Sequence, residues 1–203
     1  MMEHLARVAG IILAAGASSR MGRPKALLPI DSDTFVTRVA RALAGAGASP
    51  LVVVAGDEVE AVRVAIDAAA LPVAVVQNPH RERGQLSSIL VGLDEVDNPD
   101  VHAVLIGLVD CPLVSVETIE RIIAAFRATD APIVRPAMGG RHGHPALFSR
   151  DVFDELRRTD PDVGAKAVVR AHASAAVDVE VSDAGAFLDI DTPDDYLRYL
   201  GQK

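Results

Sequence analysis

The chain has 203 residues and a formal charge of −8; half of it is hydrophobic and only 3% aromatic. That length holds one well-cored domain, spanning 1–203, and would leave a second one cramped. The negative balance excludes a general nucleic-acid or anionic-membrane footprint, since both need a basic face, and the single cysteine, Cys111, excludes a disulfide framework and a cysteine-based zinc site.

With so few aromatics the core must be built from Val, Ile, Leu and Ala, the mixture expected of buried parallel strands under Ala-rich helices. The first apolar run, Val8–Ala14, sits where a signal peptide would. Glu3 spoils the basic leader, and Arg20, Arg23 and Lys25 follow the run at once, so it reads as a strand. No apolar run reaches the about 20 residues of a membrane span. A soluble, cytoplasmic protein is expected.

Further strands are expected at Leu51–Ala55, Val73–Gln77, Ala103–Leu108 and Pro132–Arg135, with later ones near Ala146–Phe148 and Ala176–Val181. Between them Thr34–Ala46, Asp57–Ala70, Gln85–Val96 and Val116–Ala128 space their apolar residues as helices do. Asp57 and Ser115 stand where helix caps belong. Strand–helix alternation with short polar breaks predicts right-handed βαβ units: an α/β fold, a Rossmann-like three-layer α/β/α domain with a mostly parallel sheet. Ligands of such sheets bind at the carboxyl ends of the strands.

The first strand runs into Leu13-Ala14-Ala15-Gly16-Ala17-Ser18-Ser19-Arg20-Met21-Gly22-Arg23-Pro24-Lys25-Ala26-Leu27-Leu28-Pro29. Small residues let backbone N–H groups approach phosphate oxygens, while Arg20 and Lys25 offer a fork and a point charge. Lys25 is one of only three lysines, with Lys166 and Lys203, beside 17 arginines. The glycine spacing fits neither a P-loop nor a dinucleotide fingerprint. An ordinary strand-to-helix connection would explain the glycines but not the clustered cations.

This run resembles the Leu-Ala-Ala-Gly-x-Ser-x-Arg-Met-Gly-x-x-Lys-x-Leu-Leu signature of the MobA-like nucleotidyltransferases, and is closest to the molybdenum cofactor cytidylyltransferase branch. The guanylyltransferase branch usually reads Leu-Ala-Gly-Gly; Ala15 stands in the third place here, and its methyl narrows the space near a base, which favours CTP over GTP. The resemblance implies a nucleotide site at Leu13, Ala14, Ala15, Gly16, Ser18, Arg20 and Lys25. It continues in Asn78-Pro79 and Gly84-Gln85-Leu86-Ser87-Ser88, which follow the third strand and open a helix. There Asn78, Gly84, Ser87 and Ser88 are placed to meet an anion or nucleotide polar groups.

Two acidic motifs are similar to the family's Mg²⁺ ligands. Val109-Asp110-Cys111-Pro112 ends an apolar strand, where a charged Asp is costly if buried and unpaired. A turn or helix-cap role for Asp110 is the plain alternative. In Asp189-Ile190-Asp191-Thr192-Pro193-Asp194-Asp195, alternation turns Asp189 and Asp191 to one face. Asp191 is the second expected ligand and Asp189 a weaker one, although Thr192-Pro193 also reads as a helix start. Asp110 joins Arg20 and Lys25 in the expected catalytic set.

The acceptor side is marked by Gly143-His144-Pro145 and by Asp162-Val163-Gly164-Ala165-Lys166, where Pro161 and Lys166 replace the family's Gly and Arg. His142 and His144 lack a nearby third ligand for zinc, and Cys111 lacks a base that would make it a nucleophile. It reads as a small packing residue.

The resemblance thus implies Mg²⁺-dependent transfer of a nucleoside monophosphate from an NTP to a phosphorylated acceptor, molybdopterin, with a client molybdoenzyme as a further partner. Three other readings stay open: a sugar-phosphate nucleotidyltransferase of the same fold, a guanylyltransferase, and a non-catalytic cofactor-binding maturation protein.

Overall fold

The computed structural model describes residues 6–16 and 21–201. In chain order the elements are β1 Arg7–Ala14, β2 Pro29–Ile30, β3 Asp33–Thr34, α1 Phe35–Gly45, β4 Leu51–Ala55, α2 Val59–Ala68 and β5 Val73–Gln77. They continue with α3 Gln85–Val96, β6 Val101–Leu108, α4 Val116–Thr129, β7 Ile133–Met138, β8 Arg141–His142 and β9 Ala146–Ser149. The chain ends with α5 Phe153–Arg158, α6 Lys166–Ala171, β10 Val177–Glu180 and α7 Pro193–Gly201. The main sheet runs β10-β7-β9-β6-β1-β4-β5, with β8 paired to β7. Only β8 and β9 run against the rest.

The alternation of each central strand feeds two cores. Val8 and Ile12 of β1, Val53 of β4 and Leu105 of β6 face one side, where they meet Val39 and Leu43 of α1, Ile66 of α2 and Ile119 and Ile122 of α4. Ala9 and Ile11, Val52 and Val54, and Val104 and Ile106 face the other, against Leu86, Ile89 and Leu93 of α3 and Leu156 of α5. Strands buried on both faces read as continuous aliphatic runs, and each fully buried Val, Leu or Ile contributes about 1.5–3 kcal/mol. The outcome is the expected three-layer α/β/α fold with a mostly parallel sheet. Gly92 sets the depth of one layer: a Cβ there would stand 2.4 Å from Ile11 Cγ2.

The strands at Leu51–Ala55 and Val73–Gln77 and the helix at Gln85–Val96 begin and end where the sequence places them. Ser115 caps α4, accepting from Thr118 N at 3.2 Å. Asp57 does not cap α2; Glu58 holds that position without a side-chain bond, and the Asp57 carboxylate pairs with Arg81 instead. The helices α5 and α6 and the small β2–β3 hairpin were not expected. They are short and carry little periodicity. Among the described residues no helix is long and apolar enough to cross a membrane.

Chain order reverses at β1. The path goes outward through β4 and β5, then returns to β6 on the opposite side. A parallel sheet opens a crevice at such a switch point, outside the strand carboxyl ends. There Leu13 lies in register with both Val54 and Leu108.

Candidate active site

A cavity of about 350 Å³ occupies the switch point. It is walled by Leu13–Gly16 from the end of β1, Leu108–Asp110 from the end of β6, Pro24–Ala26, the start of α3 and Asp191. Of the residues expected to hold nucleotide or metal, Leu13, Ala14, Ala15, Gly16, Lys25, Gly84, Ser88, Asp110 and Asp191 all line it. Ser18 and Arg20 lie outside the described residues.

Lys25 is the electrostatic centre. Its ammonium bonds the Asp191 carboxylate and stands 3.7 Å from Asp110 Oδ2, with the lysine side chain only 14% exposed. A residue far along the chain is thereby brought to the first loop. The docking is reinforced by the backbone, since Ile190 N donates to Asp110 O at 2.8 Å with Ile190 buried. Tyr196 of α7 adds a hydroxyl donated to Pro29 O at 2.7 Å, and the Arg23 guanidinium lies 5.6 Å from its ring centre. Thr192 and Asp195 exchange bonds that cap α7. The capping role therefore belongs to Thr192 and Asp195 rather than to Asp191, whose carboxylate meets Lys25.

Burial raises the Asp110 carboxyl above its ordinary range; Lys25 opposes this, and Asp189 and Asp191 add to it. Among the described residues, the carboxylates of Asp110, Asp189 and Asp191 gather around the one ammonium of Lys25. A hard divalent cation suits such an all-oxygen donor set. Cys111 is buried beside it, its thiol donating to Asp189 Oδ1 at 3.0 Å and lying 3.8 Å from Asp110 Oδ1. Burial, then the bond to Asp189 and the charges of Asp110 and Asp189, hold that thiol far above its usual range.

Asn78 and Ser87 are not among the cavity's lining residues. Asn78 donates to Ser87 Oγ at 2.8 Å and Ser88 Oγ at 2.9 Å, and accepts from His80 N at 2.9 Å. It thus braces the start of α3, whose capping position, Gly84, supplies no side-chain bond. Gly84 takes φ +87°, a conformation open to glycine. The first-turn amides of α3 are the kind of donors an anion uses.

Gly143, His144 and Pro145 stand on the β8–β9 side. Gly143 packs so closely that a Cβ would meet Ala186 O at 2.2 Å, and His144 N donates to the same carbonyl at 2.8 Å. Burial lowers the His144 imidazole pKa, although Asp189 and Asp110 oppose this. His144 and Pro145 share a small apolar gap with Cys111, so the motif expected on the acceptor side adjoins the carboxylates. Lys166 is exposed at the start of α6 and does not line the cavity. The loop before it reaches the rim, with Pro161 O 3.8 Å from where a Gly84 Cβ would be.

One cation escaped the sequence reading. Arg81 lines the cavity, packed over Gly56 and held by Asp57. Its position just after the Asn78-Pro79 motif was the available signal. Seventeen arginines made it look ordinary.

The model of the MobA-like NTP transferase domain matches residues 10–177, from β1 to the first residue of β10. The chain belongs to that family. As a MobA-like nucleotidyltransferase it is similar to the Rv0371c protein of Mycobacterium tuberculosis H37Rv, whose crystal structure is 34% identical with a TM-score of 0.79 over 97% of this chain and 98% of that one. A second structure of Rv0371c, in complex with manganese, has a TM-score of 0.74 at 30% identity and covers 98% and 100% of the two chains. A curated relative from M. tuberculosis, a probable molybdenum cofactor guanylyltransferase, is 31% identical over 87% of this chain and 85% of its own. Another, named nicotine blue oxidoreductase, from Paenarthrobacter nicotinovorans, is 32% identical over 95% and 96%.

Proposed function

We propose that this MobA-like nucleotidyltransferase transfers a nucleoside monophosphate from an NTP, CTP being favoured, to the phosphate of a molybdopterin-type acceptor. The observation that carries the reading is Lys25 held between Asp110 and Asp191 in the wall of the switch-point cavity. An acceptor phosphate oxygen attacks the α-phosphorus. The new P–O bond forms as the bond to the β-phosphate breaks, and pyrophosphate leaves. Such chemistry depends on positioning and charge neutralisation more than on covalent catalysis.

In this reading the Leu13–Gly16 backbone and the start of α3 receive the phosphates, joined by Ser18 and Arg20 from the same loop, and Lys25 neutralises the triphosphate. Ser88 and Gly84 line the wall on which the nucleoside lies, braced by Asn78 and Ser87. Gly143, His144 and Pro145 form the acceptor side, adjoining Asp110 and Asp189, and Lys166, exposed outside the cavity, is assigned to the acceptor by the resemblance alone. Asp110 and Asp191 would hold Mg²⁺, which when bound supplies Lewis-acid neutralisation of phosphate charge. The solved manganese complex of a relative supports a divalent ion of this class. Ala15, 6% exposed, supports CTP through the methyl it adds to the cavity wall; the guanylyltransferase name of a relative supports GTP. A cytoplasmic site of action and hand-over to a client molybdoenzyme complete the proposal.

The test is pyrophosphate release with CTP, GTP, UTP and ATP, Mg²⁺ or Mn²⁺, and reduced pterin acceptors. Release that requires CTP and a phosphorylated pterin is the expected result. GTP-dependent release would overturn the base assignment, and release with a sugar phosphate instead would overturn the acceptor. The 32% identity to a protein named nicotine blue oxidoreductase favours a second reading, in which the cavity holds a nucleotide cofactor for a redox reaction. Oxidation of NADH or NADPH dependent on nicotine blue, without pyrophosphate release, would establish it.

A further inference from the structure

We propose that Cys111 is a positioning residue, whose thiol fixes Asp189 beside Asp110 and so adds a third carboxylate to the divalent-cation site. This rests on the metal reading of Asp110 and Asp191 given above. Asp189 is exposed, and a carboxylate on an irregular segment is otherwise free to turn to solvent. Cys111 Sγ, itself buried, donates to Asp189 Oδ1 at 3.0 Å. The ligand atoms of Asp110, Cys111 and Asp189 all lie within 4.8 Å of one another. The Ile190 N–H to Asp110 carbonyl bond at 2.8 Å holds the two backbones together, but it leaves the Asp189 side chain undirected. The thiol supplies that direction.

The thiol's bond to Asp189 orients an anionic neighbour, the task outer-shell hydrogen bonds perform around metals.

The test is Mn²⁺ binding to nucleotide-free protein, read from the electron paramagnetic resonance of the free ion. It compares the wild type with Cys111→Ala, Cys111→Ser, Asp189→Asn and the Cys111→Ala/Asp189→Asn pair. Cys111→Ala and Asp189→Asn are each expected to weaken binding about 10-fold or more. The pair should bind no more weakly than the weaker single variant, and Cys111→Ser, whose hydroxyl also donates, should restore most of the affinity. A packing role would reverse the order: Cys111→Ser would melt lower than Cys111→Ala, with Mn²⁺ binding unchanged in both. Wild-type Mn²⁺ affinity in Cys111→Ala, or additive losses in the pair, overturns the proposal. Asp110→Ala separates the layers. If it weakens Mn²⁺ binding while Cys111→Ala does not, only the Cys111 assignment falls; if it binds Mn²⁺ normally, the metal reading falls and takes this proposal with it.

Discussion

The backbone N–H of Ile190 donates to the carbonyl of Asp110 at 2.8 Å, so two acidic motifs nearly eighty residues apart are joined like neighbouring strands. Ile190 is buried, and the residues on either side of it turn toward Asp110: Asp189 meets Cys111, and Asp191 meets Lys25. A site made from both ends of the chain is thus held by main-chain geometry before any side chain acts.

Lys25 occupies the place between Asp110 and Asp191 that a cation would contest. Lys25→Met keeps the side-chain bulk and removes the charge. Pyrophosphate release should fall by about 100-fold or more, on the scale of a lost charge-stabilising donor. Mn²⁺ binding to the nucleotide-free protein should move the other way. Removing a competing ammonium at a partly exposed site is worth about 1 kcal/mol, or roughly five-fold tighter binding. Weaker Mn²⁺ binding in this variant would show that Lys25 supports the cation rather than competing with it.

Gly143 leaves no room for a side chain. In Gly143→Ala the new methyl would start 2.2 Å from Ala186 O and 2.9 Å from the Phe187 ring. The strain should cost about 1–3 kcal/mol, measurable by denaturant titration. Because His144 N bonds the same carbonyl, the segment moves as a unit, and the KM for the acceptor should rise more than the KM for the NTP. Equal changes in both would mean that the motif does not face the acceptor.

How much of this was legible follows from which signals are local. The central strands were plain because both faces of β1, β4 and β6 are buried, so Ile11-Ile12 and Val52-Val53-Val54 are unbroken apolar runs. Leu13–Gly16 and Asp110 could be assigned to one crevice because each directly follows a strand. What could not be read was side-chain choice among polar partners. Asp57 looked like a cap and proved to be the anchor of Arg81. Cys111 looked like filler and proved to be a donor to Asp189, a partner 78 positions away that no local pattern announces.

Asp183 ties the C-terminal segment to the start of α4. One carboxylate oxygen accepts from Ser115 N and Thr118 Oγ1, each at 2.8 Å, and the other from Gly185 N at 2.9 Å. Burial acts to raise its pKa, but the bonds from Ser115, Thr118 and Gly185 outweigh it, and the carboxyl titrates below the ordinary value. Asp183→Asn must turn its NH₂ toward a donor on one side or the other, which should cost about 1–3 kcal/mol near neutral pH. A depressed folded pKa contributes stability above the unfolded value of about 3.9, and that contribution is lost as pH falls through the folded pKa. The melting-temperature gap between wild type and Asp183→Asn should therefore be widest at pH 6–7 and close toward pH 3. A gap that persists unchanged in acid would mean that charge is not the source.

Arg81 provides the last separation, between a cation proposed to meet the nucleotide and the carboxylate that holds it in place. Its side chain packs against the position a Cβ would take on Gly56, at 3.2 Å, and the Ala15 carbonyl is also 3.2 Å from that point. The guanidinium is thereby kept at the wall formed by the first loop, with Asp57 as its anchor. Arg81→Ala removes the cation itself, so the KM for the NTP should rise about ten-fold, the scale of one charge-assisted bond, with a smaller change in kcat. Asp57→Ala leaves the cation but frees it to swing, and should raise KM by only a few-fold. In the double variant Asp57 has nothing left to hold, so its loss should add nothing to that of Arg81→Ala. If Asp57→Ala matches or exceeds Arg81→Ala, the carboxylate itself reads the nucleotide and Arg81 is the residue that positions it.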